Sequence, residues 1–156
     1  MKKKFDEFKQ GLFTPLNKKK CLNKGEIVFR SSLELKMMRI LDNNPLVLEW
    51  NSEGTIVPYI KPGPVPKPAR YFVDFYFKIK IGETEKKFLV EVKPYRQSKR
   101  PEKHGNKKAS TILYENIQYA INKSKWEAAE KYAKERNMQF LVITEKNIDQ
   151  LTSPGK

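Results

Sequence analysis

The sequence predicts an α/β domain: a mixed β-sheet flanked by α-helices. Three observations carry that prediction. Residues 71 to 97, "YFVDFYFKIKIGETEKKFLVEVKPYRQ", read as two strands joined by a tight turn. Residues 111 to 136 carry apolar side chains at helical spacing, and "QFLVIT" beyond them is a short, dense strand. Helix, strand, hairpin, long helix, strand is the order that lays helices against such a sheet.

At 156 residues the chain reads as one domain, long enough to bury a core. Its 32 Lys and Arg outnumber 18 Asp and Glu, a net charge of +14 that favours a polyanionic partner. Nucleic acid comes first and a membrane surface second. No apolar run approaches the ~20 residues of a spanning helix, and the start, "MKKKFDEFKQGLF", lacks the apolar stretch of a secretory signal. A single cysteine, Cys21, excludes an internal disulfide and fits a reducing compartment. His104 is the one histidine and forms no zinc site with that lone cysteine.

Residues 1 to 30 hold nine Lys and Arg among scattered Phe5, Phe8, Leu12 and Phe13, so residues 1–24 read as a basic arm. Ser31 opens a helix with the apolar stripe Leu33, Met37, Ile40 and Leu41, which Asn43, Asn44 and Pro45 stop. "LVLEW" is a short strand or the end of a turn. "GTIVPYI" is a strand, with Pro58 marking an edge or a bulge. Four prolines in ten residues make "KPGPVPKPAR" an extended surface loop. Along the long helix Leu113, Ile117, Ile121 and Ala128 share one side, with Ala120, Ala129 and Ala133 beside them. The folded domain spans 25–150, and 151–156 is a flexible tail.

Strand alternation puts Val73, Phe75, Phe77 and Ile79 on one face of the hairpin, and Phe72, Asp74, Tyr76 and Lys78 on the other. Gly82-Glu83 suits a two-residue turn that pairs Ile81 with Thr84. Carried along the strands, that register sets Asp74 opposite Glu91 with Lys93 on the same face; a one-residue slip would undo it. Opposed carboxylates cost stability unless compensated. A hard cation such as Mg²⁺ takes one or two carboxylates and completes its shell with water. Lys93 can align an attacking water and offset charge on a phosphate. Metal, lysine and polyanion together suggest phosphodiester hydrolysis.

The pattern Asp74-x16-Glu91-Val92-Lys93 resembles the core of the PD-(D/E)xK nucleases, with Val73 where that family often has proline. Upstream "VFRSSLELKMMRILDNNPLVLEW" and downstream "YAINKSKWEAAEKYAKERNMQFLVITEK" resemble a narrower group within it. That group holds TnsA-type endonucleases and the head-completion nucleases of contractile-tailed phages. The likeness spans roughly residues 25 to 147. It implies a restriction-endonuclease-like fold and Mg²⁺-dependent DNA cleavage, with Mn²⁺ able to substitute. It also implies that Glu34 of the first helix joins Asp74 and Glu91 at the metal, with Lys93 completing the catalytic set. Phage head and portal proteins are the further partners it suggests. The place of action would be the host cytoplasm during assembly, or the virion.

Plainer readings stand beside these. Asp74 and Glu91 also fit solvent-facing carboxylates ion-paired to lysines, and Ser31-x-x-Glu34 is a capping box. Lys99, Arg100, Lys103, Lys107 and Lys108 follow the hairpin and suit phosphate contact, or a solvated loop. Lys125 and Gln118 face the active site or solvent, and Trp126 belongs to the core. Two rival functions fit the same charge: a non-catalytic basic head component that clamps DNA, and a dimeric junction resolvase.

Overall fold

The computed structural model describes residues 10–102 and 105–152. Lys103 and His104 lie outside the described residues, as do positions 1–9 and 153–156. A short antiparallel pair comes first, β1 (Gly11–Phe13) against β2 (Ile27–Phe29). Helix α1 (Ser32–Asn43) follows, and then β3 (Val47–Lys61), β4 (Lys67–Ile81) and β5 (Thr84–Val92). Helix α2 (Ala109–Glu135) leads into β6 (Met138–Ile143). The main sheet runs β3-β4-β5-β6, antiparallel except for the parallel β5–β6 pair. It is the mixed sheet that the order of elements predicts.

Its two faces bury different helices. On one, Leu35, Met37, Met38 and Leu41 of α1 pack with Trp50, Phe75, Val90 and Ile148. On the other, Ala129 and Ala133 of α2 pack with Val57, Tyr59, Tyr71, Val73 and Leu89. Small residues on α2 let the long helix lie close to the strands. Only the second half of α2 does so. Leu113 and Ile117, expected beside Ile121 in the core, are 62% and 47% exposed, while Ile121 is buried.

Several boundaries differ from the sequence reading. "LVLEW" and "GTIVPYI" belong to one fifteen-residue edge strand, β3, with a register shift between Ser52 and Thr55 in place of a turn. Glu53 takes a left-handed φ of 56° within that shift. The proline-rich loop shrinks to residues 62–66, because Lys67 to Arg70 pair with Lys61 to Pro58. Pro68 is tolerated there since pairing with β5 ends at Phe75, which leaves one side of β4, among the described residues, without a strand at its outer end. Part of the basic arm is tied down: the Leu16 and Asn17 N–H groups donate to Asp42 at 2.8 and 3.1 Å, and Cys21 bridges to Trp50.

The turn at Gly82 has the positive φ, 61°, that glycine allows, and the ladder runs from Ile81–Thr84 to Phe75–Val90 in the expected register. Asp74 and Glu91 come next, at the open end. There the alternation breaks. Phe75 and Phe77 belong to the α1 core, whereas Val73, expected on their face, packs against α2 with Tyr71 and Leu89. The reason is the register shift of β3, which falls opposite Asp74 and lets β4 change faces.

Candidate active site

Asp74 sits at that break. Its Oδ2 accepts a hydrogen bond from the Val92 N–H at 2.8 Å, where regular pairing would put a backbone carbonyl. Glu91 is 6% exposed, and its Oε2 accepts from the Tyr71 hydroxyl at 2.6 Å. Burial first, then the adjoining Glu91 carboxylate, pushes Asp74 well above the usual carboxylate range. The Val92 N–H opposes the rise and the charge of Glu34 adds to it. The Tyr71 hydroxyl is pushed up by burial and by the charge of Glu91, so it stays a donor. Lys93 Nζ lies 3.8 Å from Glu91 Oε1. Its backbone N–H donates to Ile143 O at 2.9 Å, which fixes its place against β6.

Glu34 occupies the first turn of α1. Ser31 Oγ accepts from the Glu34 N–H at 3.1 Å, and Glu34 Oε1 accepts from the Arg30 N–H at 3.2 Å. The capping box is therefore formed, shifted by one residue on the return bond. Burial raises the Glu34 carboxyl above its ordinary range, and the Arg30 N–H works against that. Its charge also reaches Asp74. Both plainer and functional readings of Glu34 keep a structural basis.

Lys93 also forms one margin of a cleft of about 830 Å³. Lys99, Arg100 and Lys107 line it, as does Gln118. Lys107 is ion-paired with Glu115 at 2.8 Å. Lys108 is exposed at the N-terminus of α2 and is not part of the lining. Lys125 Nζ lies 5.5 Å from the ring centre of Tyr71, whose hydroxyl bonds Glu91. Sequence reasoning missed Tyr71, Arg96 and Lys146. The parallel β5–β6 register puts the ends of both strands together, which is what brings Lys146 to Lys93's side. A signal for Tyr71 was present: a buried carboxylate requires a donor, and Tyr71 lies three residues before Asp74.

Among the described residues, no three acidic, histidine or cysteine side chains gather closely enough to cage a metal. The chain offers two adjoining carboxylates, Asp74 and Glu91, with Lys93 beside the second. That donor set fits Mg²⁺, which prefers oxygen, accepts one or two carboxylates and keeps several waters.

The family described as TnsA-like endonuclease N terminal matches residues 44–145, which include Asp74, Glu91 and Lys93 but not Glu34. The head completion nuclease of Enterobacteria phage T4 is 29% identical over 133 residues, covering 83% of this chain and 86% of that protein.

Proposed function

The chain belongs to the TnsA-like endonuclease N-terminal family and is an endonuclease; on that premise we propose that it is a Mg²⁺-dependent DNA endonuclease that acts in completing a phage head. The observation that carries the reading is the meeting of Asp74, Glu91 and Lys93 at one end of the sheet, within the matched stretch. Asp74 and Glu91 would hold the cation, and Glu34, whose charge reaches Asp74, would join them only by moving closer than it stands here. A divalent ion bound there supplies Lewis-acid stabilisation of charge building on the phosphate oxygens.

The protein's own groups prepare that chemistry. The Val92 N–H and the Tyr71 hydroxyl fix one oxygen of each carboxylate, and a cation would take the place of the proton the pair shares and of part of Lys93's hold on Glu91. Lys93 brings a positive charge to the scissile phosphate and orients the attacking water. Lys99, Arg100 and Lys107, with Lys103 and Lys108 in the same segment, supply phosphate contacts, and Lys125 adds a charge over the Tyr71 ring. The phage assignment follows the name of the T4 relative, with DNA as substrate, head or portal proteins as partners, and the infected host as the place of action.

Nicking of supercoiled plasmid tests the proposal against a DNA clamp with the same charge. Conversion to open circle should require Mg²⁺ and stop on EDTA addition, while gel-shift binding persists. Binding without nicking at any Mg²⁺ concentration favours the clamp.

A further inference from the structure

We infer that the cleft beside Lys93 is a binding site for unpaired nucleotides, so that the enzyme favours DNA carrying a single-stranded end or flap over intact duplex. This inference rests on the DNA-nuclease reading and specifies its substrate. The two walls of the cleft differ in chemistry. One is cationic, made by Arg96 and Lys99 beyond β5 and by Lys146 beyond β6. The Tyr95 ring gathers two of these charges, with Lys146 Nζ 3.5 Å and Lys99 Nζ 4.4 Å from its centre. The carboxylates in the lining are partly occupied. Glu145 Oε1 accepts the Tyr95 N–H at 2.7 Å, and Glu115 is paired with Lys107.

The other wall is one face of α2, carrying Tyr114, Gln118, Tyr119 and Asn122 at three-, four- and five-residue spacings. Tyr114 is 63% exposed, so its ring is open to a stacking partner at the cleft. Tyrosine rings accept any base by its π-face, and the amides of Gln118 and Asn122 offer donors and acceptors to base edges. A volume of about 830 Å³ suits a short stretch of unpaired strand. A duplex is far too wide to enter, and its bases present no free π-face. Charge on one wall and rings on the other match a strand whose phosphates and bases point in opposite directions. Lys93 at the margin joins this cleft to the carboxylates.

Fluorescence anisotropy of the full chain in EDTA tests this without any cleavage. The probes are a labelled DNA hairpin with a blunt end and the same hairpin with an oligo-dT tail. The tailed probe should bind at least tenfold more tightly. Tyr114→Leu and Tyr119→Leu should each cut the tailed-to-blunt ratio by about tenfold, the worth of one stacked base. Tyr114→Trp should retain the ratio. Tyr114 is solvent-exposed, so its replacement tests the site even if Tyr119→Leu melts early. Equal affinity for the two probes in wild type, or an unchanged ratio in Tyr114→Leu, overturns the inference. Plasmid nicking in Mg²⁺ separates this from the parent reading. Nicking with no preference for tails removes the cleft assignment alone, and tail preference without nicking removes the nuclease reading alone.

Discussion

The Tyr71 hydroxyl and the Glu91 carboxylate form a buried hydrogen bond of 2.6 Å between β4 and β5. It fixes Glu91 Oε2 and leaves Oε1 on the side of Lys93. Tyr71→Phe removes the donor and leaves a buried acceptor unmatched, at a cost of about 1–3 kcal/mol of stability. Metal affinity and activity should fall about 10–100-fold, as they do when a ligand loses its supporting partner. Chemical denaturation and a Mg²⁺ titration of nicking measure the two effects separately.

Asp74 makes the metal-free protein sensitive to pH in an unusual direction. Its folded carboxyl is raised well above 3.8, so the folded state binds a proton more readily than the unfolded chain. The Asp74 contribution is therefore favourable at low pH. It is lost as pH rises above the unfolded value and through the folded one. Asp74→Asn cannot ionise, yet its side-chain oxygen still accepts from the Val92 N–H. In EDTA at neutral pH, Asp74→Asn should melt above wild type, with the gap closing towards pH 3–4. Thermal melts across pH check this. A variant that melts below wild type at pH 7 contradicts the buried charge repulsion.

Glu34 is separable from its cap. Ser31→Ala removes the oxygen that accepts the Glu34 N–H and should cost about 0.5–2 kcal/mol. Its nicking rate should stay near wild type well below melting. Glu34→Gln keeps an acceptor for the Arg30 N–H and loses the charge that a hard cation prefers. In metal-free buffer at neutral pH it should melt at or above wild type, since burial raises the Glu34 carboxyl, while losing most activity and requiring more Mg²⁺. Wild-type nicking by Glu34→Gln across a Mg²⁺ titration assigns the residue to the cap alone.

Asp42 ties the N-terminal segment to α1. It is 1% exposed and takes both N–H groups of Leu16 and Asn17. Charged hydrogen bonds of this kind are worth about 1.5–3 kcal/mol each. Asp42→Ala should destabilise by about 3–6 kcal/mol and expose residues 11–20 to limited proteolysis, with cleavage retained at low temperature.

Hairpin register and sheet class were legible because a two-residue turn at Gly82 fixes pairing locally and apolar periodicity marks the buried faces. That register brings Asp74 near Glu91 and Lys93 in sequence terms, but the ladder ends one pair earlier, at Phe75–Val90, and Asp74 meets β5 through the Val92 N–H instead. The face change at Asp74 was not legible, since it arises from a shift in β3, a strand whose partner is set by tertiary pairing. The exposed first half of α2 escaped for a similar reason. Leu113 and Ile117 have core spacing, but the sheet ends before it reaches them. The cleft is built from segments after β5 and β6 and from α2, and only the parallel pairing of those strands brings them together.

The most direct measurement of the central claim is single-turnover nicking of plasmid by wild type and Glu91→Gln across a Mg²⁺ titration. Glutamine keeps the size of Glu91 and an oxygen for the Tyr71 hydroxyl, so the fold and DNA binding stay intact while one charged metal donor is lost. Saturable Mg²⁺-dependent nicking by wild type, with Glu91→Gln slower by at least a hundredfold at every concentration, is the result predicted. Equal rates for the two proteins would contradict a metal site at Asp74 and Glu91.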